Sequence, residues 1–104
     1  MRIALDGMGG DHAPDPIVAG AVKAVQEEEE LHVLLVGEQA RMESCLEQCG
    51  GQPSRIEIIH ASQAVTMEES PVEGLRRKPD NTISRCWGLL KENKVDGIVS
   101  AGNT

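Results

Sequence analysis

The chain has 104 residues, a formal charge of −7 and one aromatic residue, Trp87, with no Phe and no Tyr. That length suits one small core with no internal division, the acidic balance excludes a basic nucleic-acid face, and without aromatics no platform for stacking bases can be assembled. No apolar run is long enough to span a membrane and Met1 to Asp6 is too short for a secretory leader, so the expected compartment is the cytoplasm.

Arg2-Ile3-Ala4-Leu5 reads as a short buried strand, followed by the turn Asp6-Gly7-Met8-Gly9-Gly10-Asp11-His12-Ala13-Pro14. Paired glycines there permit backbone conformations closed to other residues and let a ligand approach the main chain. The helix that follows aims free N–H groups at the same place, which suits an anion and phosphate above all. Asp15 is placed to cap that helix, with Pro16 at its first position. Ile17, Val18, Ala21, Val22 and Val25 then form one apolar face that packs on a sheet. The helix runs out in Glu27-Glu28-Glu29-Glu30, a solvated end.

Leu31 to Gly37 is nearly continuously apolar, the pattern of a parallel strand covered on both faces, with His32 as a structural residue at its edge. A second helix runs through Met42, Cys45, Leu46 and Cys49, and Gly50-Gly51 ends it as a left-handed cap. Arg55 to His60 gives a third strand, whose terminal His60 is read as a hydrogen-bonded structural residue. Strand, helix, strand, helix, strand predicts a parallel α/β sheet with right-handed crossovers and a ligand edge at the strand C-termini.

Ala61 to Glu69 reads as a long loop, and Ser70-Pro71-Val72-Glu73 as a capping box that opens a short helix ending near Lys78, before Pro79. Arg76-Arg77-Lys78 either complements that helix C-terminus or, beside the next N-terminus capped by Asp80, grips an anion. Ile83, Cys86, Trp87, Leu89 and Leu90 line the apolar side of the next helix, which places Trp87 in the core. Val95 to Ser100 reads as a fourth strand, and Ala101 to Thr104 as the start of a second small-residue turn. A chain ending inside such a turn is expected to be the N-terminal part, residues 1–104, of a single α/β domain, with the sheet edge after Val99 uncovered.

Cys45, Cys49 and Cys86 form no disulfide framework, and no His or further Cys stands at a zinc-ligand spacing, so buried free thiols and no metal are expected. His12 stands where the third glycine of a dinucleotide fingerprint would fall, and neither a P-loop nor a nucleophile elbow occurs. A nicotinamide dehydrogenase, a P-loop hydrolase and an ordinary serine or cysteine hydrolase are all disfavoured, and no cofactor is expected.

Three motifs carry a resemblance: Asp6 to Pro14, Pro71 with Arg76 to Asp80, and Ser100-Ala101-Gly102-Asn103-Thr104. In order and spacing, over the whole chain, they resemble the bacterial phosphate acyltransferase family. The resemblance implies an incomplete three-layer, Rossmann-like α/β sandwich of the isocitrate and isopropylmalate dehydrogenase kind. It implies an enzyme that moves a fatty acyl group from acyl carrier protein to inorganic phosphate, giving acyl phosphate for phospholipid synthesis. It also implies a homodimer, peripheral membrane contact through parts outside these residues, and a longer protein of which this portion alone is inactive. On this reading phosphate lies near Gly9, Gly10, Asp11, Arg76, Asn81 and Thr82 and near the turn of Ser100, Gly102, Asn103 and Thr104. His12 is the candidate proton donor to the leaving thiolate, and Asp6 and Asp11 orient the loop rather than bind metal. The family usually carries a basic residue and two serines where this chain has Pro79, Asn81 and Thr82, and it does not always keep a histidine at position 12. The rival readings are a phosphotransacetylase-like or dehydrogenase-like enzyme for another phosphorylated ligand, and a non-catalytic assembly module.

Overall fold

A computed structural model of the chain describes residues 1–9, 14–61 and 82–100. The described elements are β1 (Arg2–Asp6), α1 (Asp15–Glu27), β2 (His32–Gly37), α2 (Gln39–Gln48), β3 (Ile56–His60), α3 (Thr82–Lys91) and β4 (Gly97–Val99). The strands form one four-stranded sheet in the order β3-β2-β1-β4. All its pairings are parallel, with Leu5 opposite Leu35 on one side and Val99 on the other. The expected short helix before Lys78 and the basic cluster Arg76 to Lys78 lie outside the described residues.

Alternation along the strands splits the core into two layers, as a parallel sheet covered on both faces requires. On one face Val33, Leu35 and Ile56 pack against Val18, Ala21, Val22 and Val25 of α1 and Met42, Cys45 and Leu46 of α2. On the other, Ala4, Leu34 and Val36 pack against Cys86 and Leu89 of α3, with Val95. The result is the expected three-layer α/β arrangement. The cover of β1 and β4 on the α1 face is partial: a groove of about 390 Å³ lined by Ile3, Leu5, Ile17, Ala24 and Val99 runs along α1, and Val99 is 52% exposed.

The helix ends show why the sequence folds this way locally. After α2 the chain turns through Gly50 and Gly51 at φ +102° and +115°. Gly51 N–H reaches Leu46 O at 2.9 Å and Gly50 N–H reaches Glu47 O at 3.1 Å, so this is the left-handed cap the glycine pair predicts. α3 ends in the same geometry with Asn93 at φ +61° in the glycine role, Lys94 N–H reaching Leu89 O at 2.9 Å.

At α1 the expectation differs in detail. Asp15 is the first helical residue, Pro14 is the cap, and no side chain caps the helix. The Asp15 carboxylate instead accepts the thiol hydrogen of Cys45 at 3.0 Å, tying α1 to α2. The last turn of α1 carries no basic side chain, and its end is met from elsewhere in the chain. Arg55 donates to Val25 O, Glu28 O and Leu31 O and so closes the α1–β2 connection.

Two side chains depart from their expected places. Trp87 is 59% exposed rather than core. The buried stripe of α3 is Thr82, Cys86 and Leu89, at helical spacing, and Trp87 stands about 100° round the axis from Cys86, beyond the strip that the sheet covers. Cys49 is exposed, whereas Cys45 and Cys86 are the buried free thiols expected.

Candidate functional site

β1 leads to β2 and β3 on one side, while β4 joins β1 on the other, so the sheet reverses its direction of growth between β1 and β4. In open α/β sheets the crevice beyond the strand C-termini at such a reversal is where ligands bind, because the connecting loops diverge there and leave a cleft. The residues at that point are Asp6, which ends β1, and Ser100, which follows β4.

Alternation puts Asp6 on the same face as Ala4, toward α3, where it is only 2% exposed. Each oxygen of its carboxylate accepts a hydrogen bond: Oδ1 from Met8 N–H at 3.0 Å, and Oδ2 from the Ser100 hydroxyl at 2.9 Å. The first bond folds the turn back over the strand end, an Asx-type arrangement. The second joins the two strands one position beyond their last ladder pair, Leu5 with Val99. Asp6 therefore orients the loop, the role read for it from the sequence.

Gly9 is buried inside the turn, its N–H lying 3.5 Å from Asp6 O. Thr82 opens α3 and is 1% exposed, one helical turn above Cys86 on the face that meets β1. The structure thus brings Gly9, Thr82 and Ser100 to the C-terminal edge of the sheet. Gly10, Asp11, His12, Arg76, Asn81, Gly102, Asn103 and Thr104 lie outside the described residues.

Gly7 has a different job from the one its place in the turn suggests. Its N–H continues the strand ladder to Val36 O at 2.8 Å, and a Cβ there would come within 2.6 Å of Met42 Sδ and 3.2 Å of Val36 O. Gly37 on the neighbouring strand faces the same sulfur, at 3.0 Å from an added Cβ. These two glycines make room for Met42, which is fully buried, rather than for a ligand.

Burial, with the Asp6 charge nearby as a lesser cause, pushes the Cys86 thiol up to about 12. Burial and then the hydrogen bond to Asp15 push Cys45 up to about 11. Neither is presented as a thiolate nucleophile. His60 ends β3 and accepts Gln39 N–H on Nδ1 at 3.1 Å, which fixes the start of α2. It sits two strands away from the reversal point, in the structural role the sequence assigned it.

Sequence reasoning missed two functional or structural anchors. The Asp6–Ser100 pair joins residues 94 positions apart, and only the sheet order brings them together. Arg55 reads from sequence as the first residue of a strand, with nothing to mark its three carbonyl partners.

With this geometry in place, comparison with known proteins gives a consistent result. A family described as fatty acid synthesis protein matches residues 1–104. The chain is 49% identical over 104 residues to a phosphate acyltransferase of Syntrophomonas wolfei, covering all of this chain and 32% of that protein. It is 42% identical over 104 residues to a phosphate acyltransferase of Clostridium tetani, covering 100% of this chain and 31% of that protein. It is 48% identical over 103 residues to one of Gloeothece citriformis, with 99% and 29% coverage. The chain thus spans about a third of the length of these relatives. With the full chain matched, at these identities, it belongs to the fatty acid synthesis protein family, the family of the phosphate acyltransferases.

Proposed function

We propose that the whole protein transfers a fatty acyl group from acyl carrier protein to inorganic phosphate, producing acyl phosphate for phospholipid synthesis. The observation that carries this reading is the 42–49% identity, across the chain, to proteins named phosphate acyltransferase. The protein works in the cytoplasm as a homodimer and meets the membrane surface through parts outside these 104 residues. No helix among the described residues is long and apolar enough to cross a membrane.

The chemistry asks little of a catalyst beyond placement and charge stabilisation. Phosphate is already an oxygen nucleophile at neutral pH. One of its unprotonated oxygens attacks the thioester carbonyl carbon, the C–O bond forms, and the carbonyl oxygen takes negative charge. Collapse of that intermediate breaks the C–S bond, and the carrier's thiolate leaves and is protonated.

In this proposal the amides of Gly9 and Gly10 hold the phosphate or the oxyanion, and Asp11 orients their loop. Arg76, Asn81 and Thr82 grip the phosphate from the α3 side, and Ser100, Gly102, Asn103 and Thr104 from the β4 side. His12 supplies the proton to the thiolate. The burial of Cys45 and Cys86, with both thiols held protonated, supports direct transfer to phosphate over an acyl-cysteine intermediate on either of them.

Incubating the purified whole protein with long-chain acyl carrier protein, with and without phosphate, tests the reading. Phosphate-dependent loss of the thioester with matching acyl phosphate supports it. Loss of thioester at the same rate without phosphate contradicts it.

A further inference from the structure

The groove along α1 has no part in the packing described above. A parallel sheet is stable with both faces covered. α1 and α2 supply that cover over β2 and β3, but beside β1 and β4 they leave a trench of about 390 Å³. Every side chain that lines it is apolar, so an occupant is held by burial and not by hydrogen bonds or charge. Gly20 and Ala24 keep it open from the α1 side, and a Cβ added to Gly20 would meet nothing within 4 Å.

Alternation along β1 decides where the groove opens. Ile3 and Leu5 face α1, whereas Ala4 and Asp6 face α3. At the C-terminal end of the strands the groove is walled by the ladder pair Leu5 and Val99 and by Pro16 and Ile17 in the first turn of α1. From Ile17 it runs to Ala24, about 10 Å further along the helix, where Leu31 also lines it. Its mouth thus lies one residue short of the sheet reversal, on the face opposite Asp6 and Thr82. The far end adjoins the acidic run Glu27 to Glu30, which opposes an anionic bilayer as the occupant.

We propose that this groove holds the hydrocarbon chain of the acyl substrate, with the thioester at the Leu5–Val99 end. This rests on the acyl-transfer reading above. An alkyl chain is linear, uncharged and without polar groups, as a trench between one helix and two strands with only apolar walls requires. The sheet edge then separates the two substrates: the chain descends on the α1 face, and phosphate meets the carbonyl carbon at the edge itself.

The test compares the whole wild-type protein with Gly20→Leu, using carrier protein loaded with hexadecanoyl or butanoyl groups at saturating phosphate. The new side chain enters the groove from a position with open space around it, so thermal unfolding is expected at or above the wild-type temperature. The ratio of kcat/KM for hexadecanoyl over butanoyl is expected to fall about tenfold or more, the effect of withdrawing two methylenes from apolar cover. A decanoyl chain ending in a diazirine, photolysed on the wild-type protein, is expected to label peptides containing Ala24 or Leu31. An unchanged ratio in a folded variant overturns the proposal, and acyl transfer stands if acyl phosphate still forms. Should Gly20→Leu fail to fold, the label decides: label only on other parts of the protein means that another segment or a second copy fills the groove, and the proposal falls. Absence of acyl phosphate from either chain length overturns the groove and the acyl-transfer reading together.

Discussion

Replacing Gly7 by Ala isolates the packing role of the first turn from any ligand role. A Cβ on Gly7 would sit 2.6 Å from Met42 Sδ, 3.1 Å from Leu35 Cδ1 and 3.2 Å from Val36 O. The last of these is backbone within the ladder and cannot yield far, so the sulfur must move by most of an ångström. Met42 is 0% exposed and has no open space to move into. Overpacking of this kind costs about 1–3 kcal/mol. Against it, Ala lowers the entropy of the unfolded chain and returns about 0.4–1 kcal/mol, since Gly7 is not among the positive-φ glycines and its conformation is open to Ala. The balance is a net loss of about 1–2 kcal/mol, read as a lower urea midpoint at unchanged m value. Met42→Val removes the sulfur, so the double variant should lose less than the sum of the singles, with a coupling of about 1 kcal/mol. A Gly7→Ala protein as stable as wild type, or strictly additive singles, would refute the assignment of Gly7 to Met42.

The remaining predictions concern the joints and thiols. Arg55→Ala leaves the carbonyls of Val25, Glu28 and Leu31 without their cation and should cost about 2–4 kcal/mol in denaturant unfolding; Arg55→Lys should recover less than half, because an ammonium lacks the planar fork. Gly50→Ala, at φ +102°, should destabilise by about 1 kcal/mol, while Gly88→Ala inside α3, where nothing lies within 4 Å of an added Cβ, should stabilise by about 0.5–1 kcal/mol, so the two alanines should move the midpoint in opposite directions. A thiol reagent at pH 8 should modify Cys49 quickly in the native protein and reach Cys45 and Cys86 only on unfolding, as mass spectrometry of the peptides would show. For Cys86 the folded state holds the proton longer, up to about 12 against an ordinary 9.0. Its contribution to stability is therefore intact below pH 9.0 and falls as the unfolded thiol ionises between 9.0 and about 12. Cys86→Ala should flatten that alkaline slope.

The β-α-β-α-β order, the parallel pairing and the α2 cap were legible because each rests on local signals: continuous apolar runs, helical spacing and a glycine pair at positive φ. What local signals do not carry is the width of a buried face. Trp87 belongs to an apolar run on α3, yet the sheet covers only the stripe through Thr82, Cys86 and Leu89. Nor do they reveal which atoms meet across the chain. Gly7 reads only as part of the glycine turn until Met42 is seen beneath it, Asp15 as a cap until Cys45 takes its carboxylate, and Arg55 as a strand residue until its carbonyls are found. At the candidate site, Gly9, Thr82 and Ser100 reach the expected sheet edge. The Asp6–Ser100 pairing needed the β4-beside-β1 order, which no spacing in the sequence encodes.

The most direct measurement is the phosphate dependence of acyl phosphate formation by the whole protein with long-chain acyl carrier protein, the product detected as such rather than inferred from loss of thioester. The account predicts acyl phosphate in equal amount to the thiol released, saturating with phosphate, and strongly reduced by Ser100→Ala in a protein that still folds. Thiol release with no acyl phosphate, or a rate indifferent to phosphate, would contradict it.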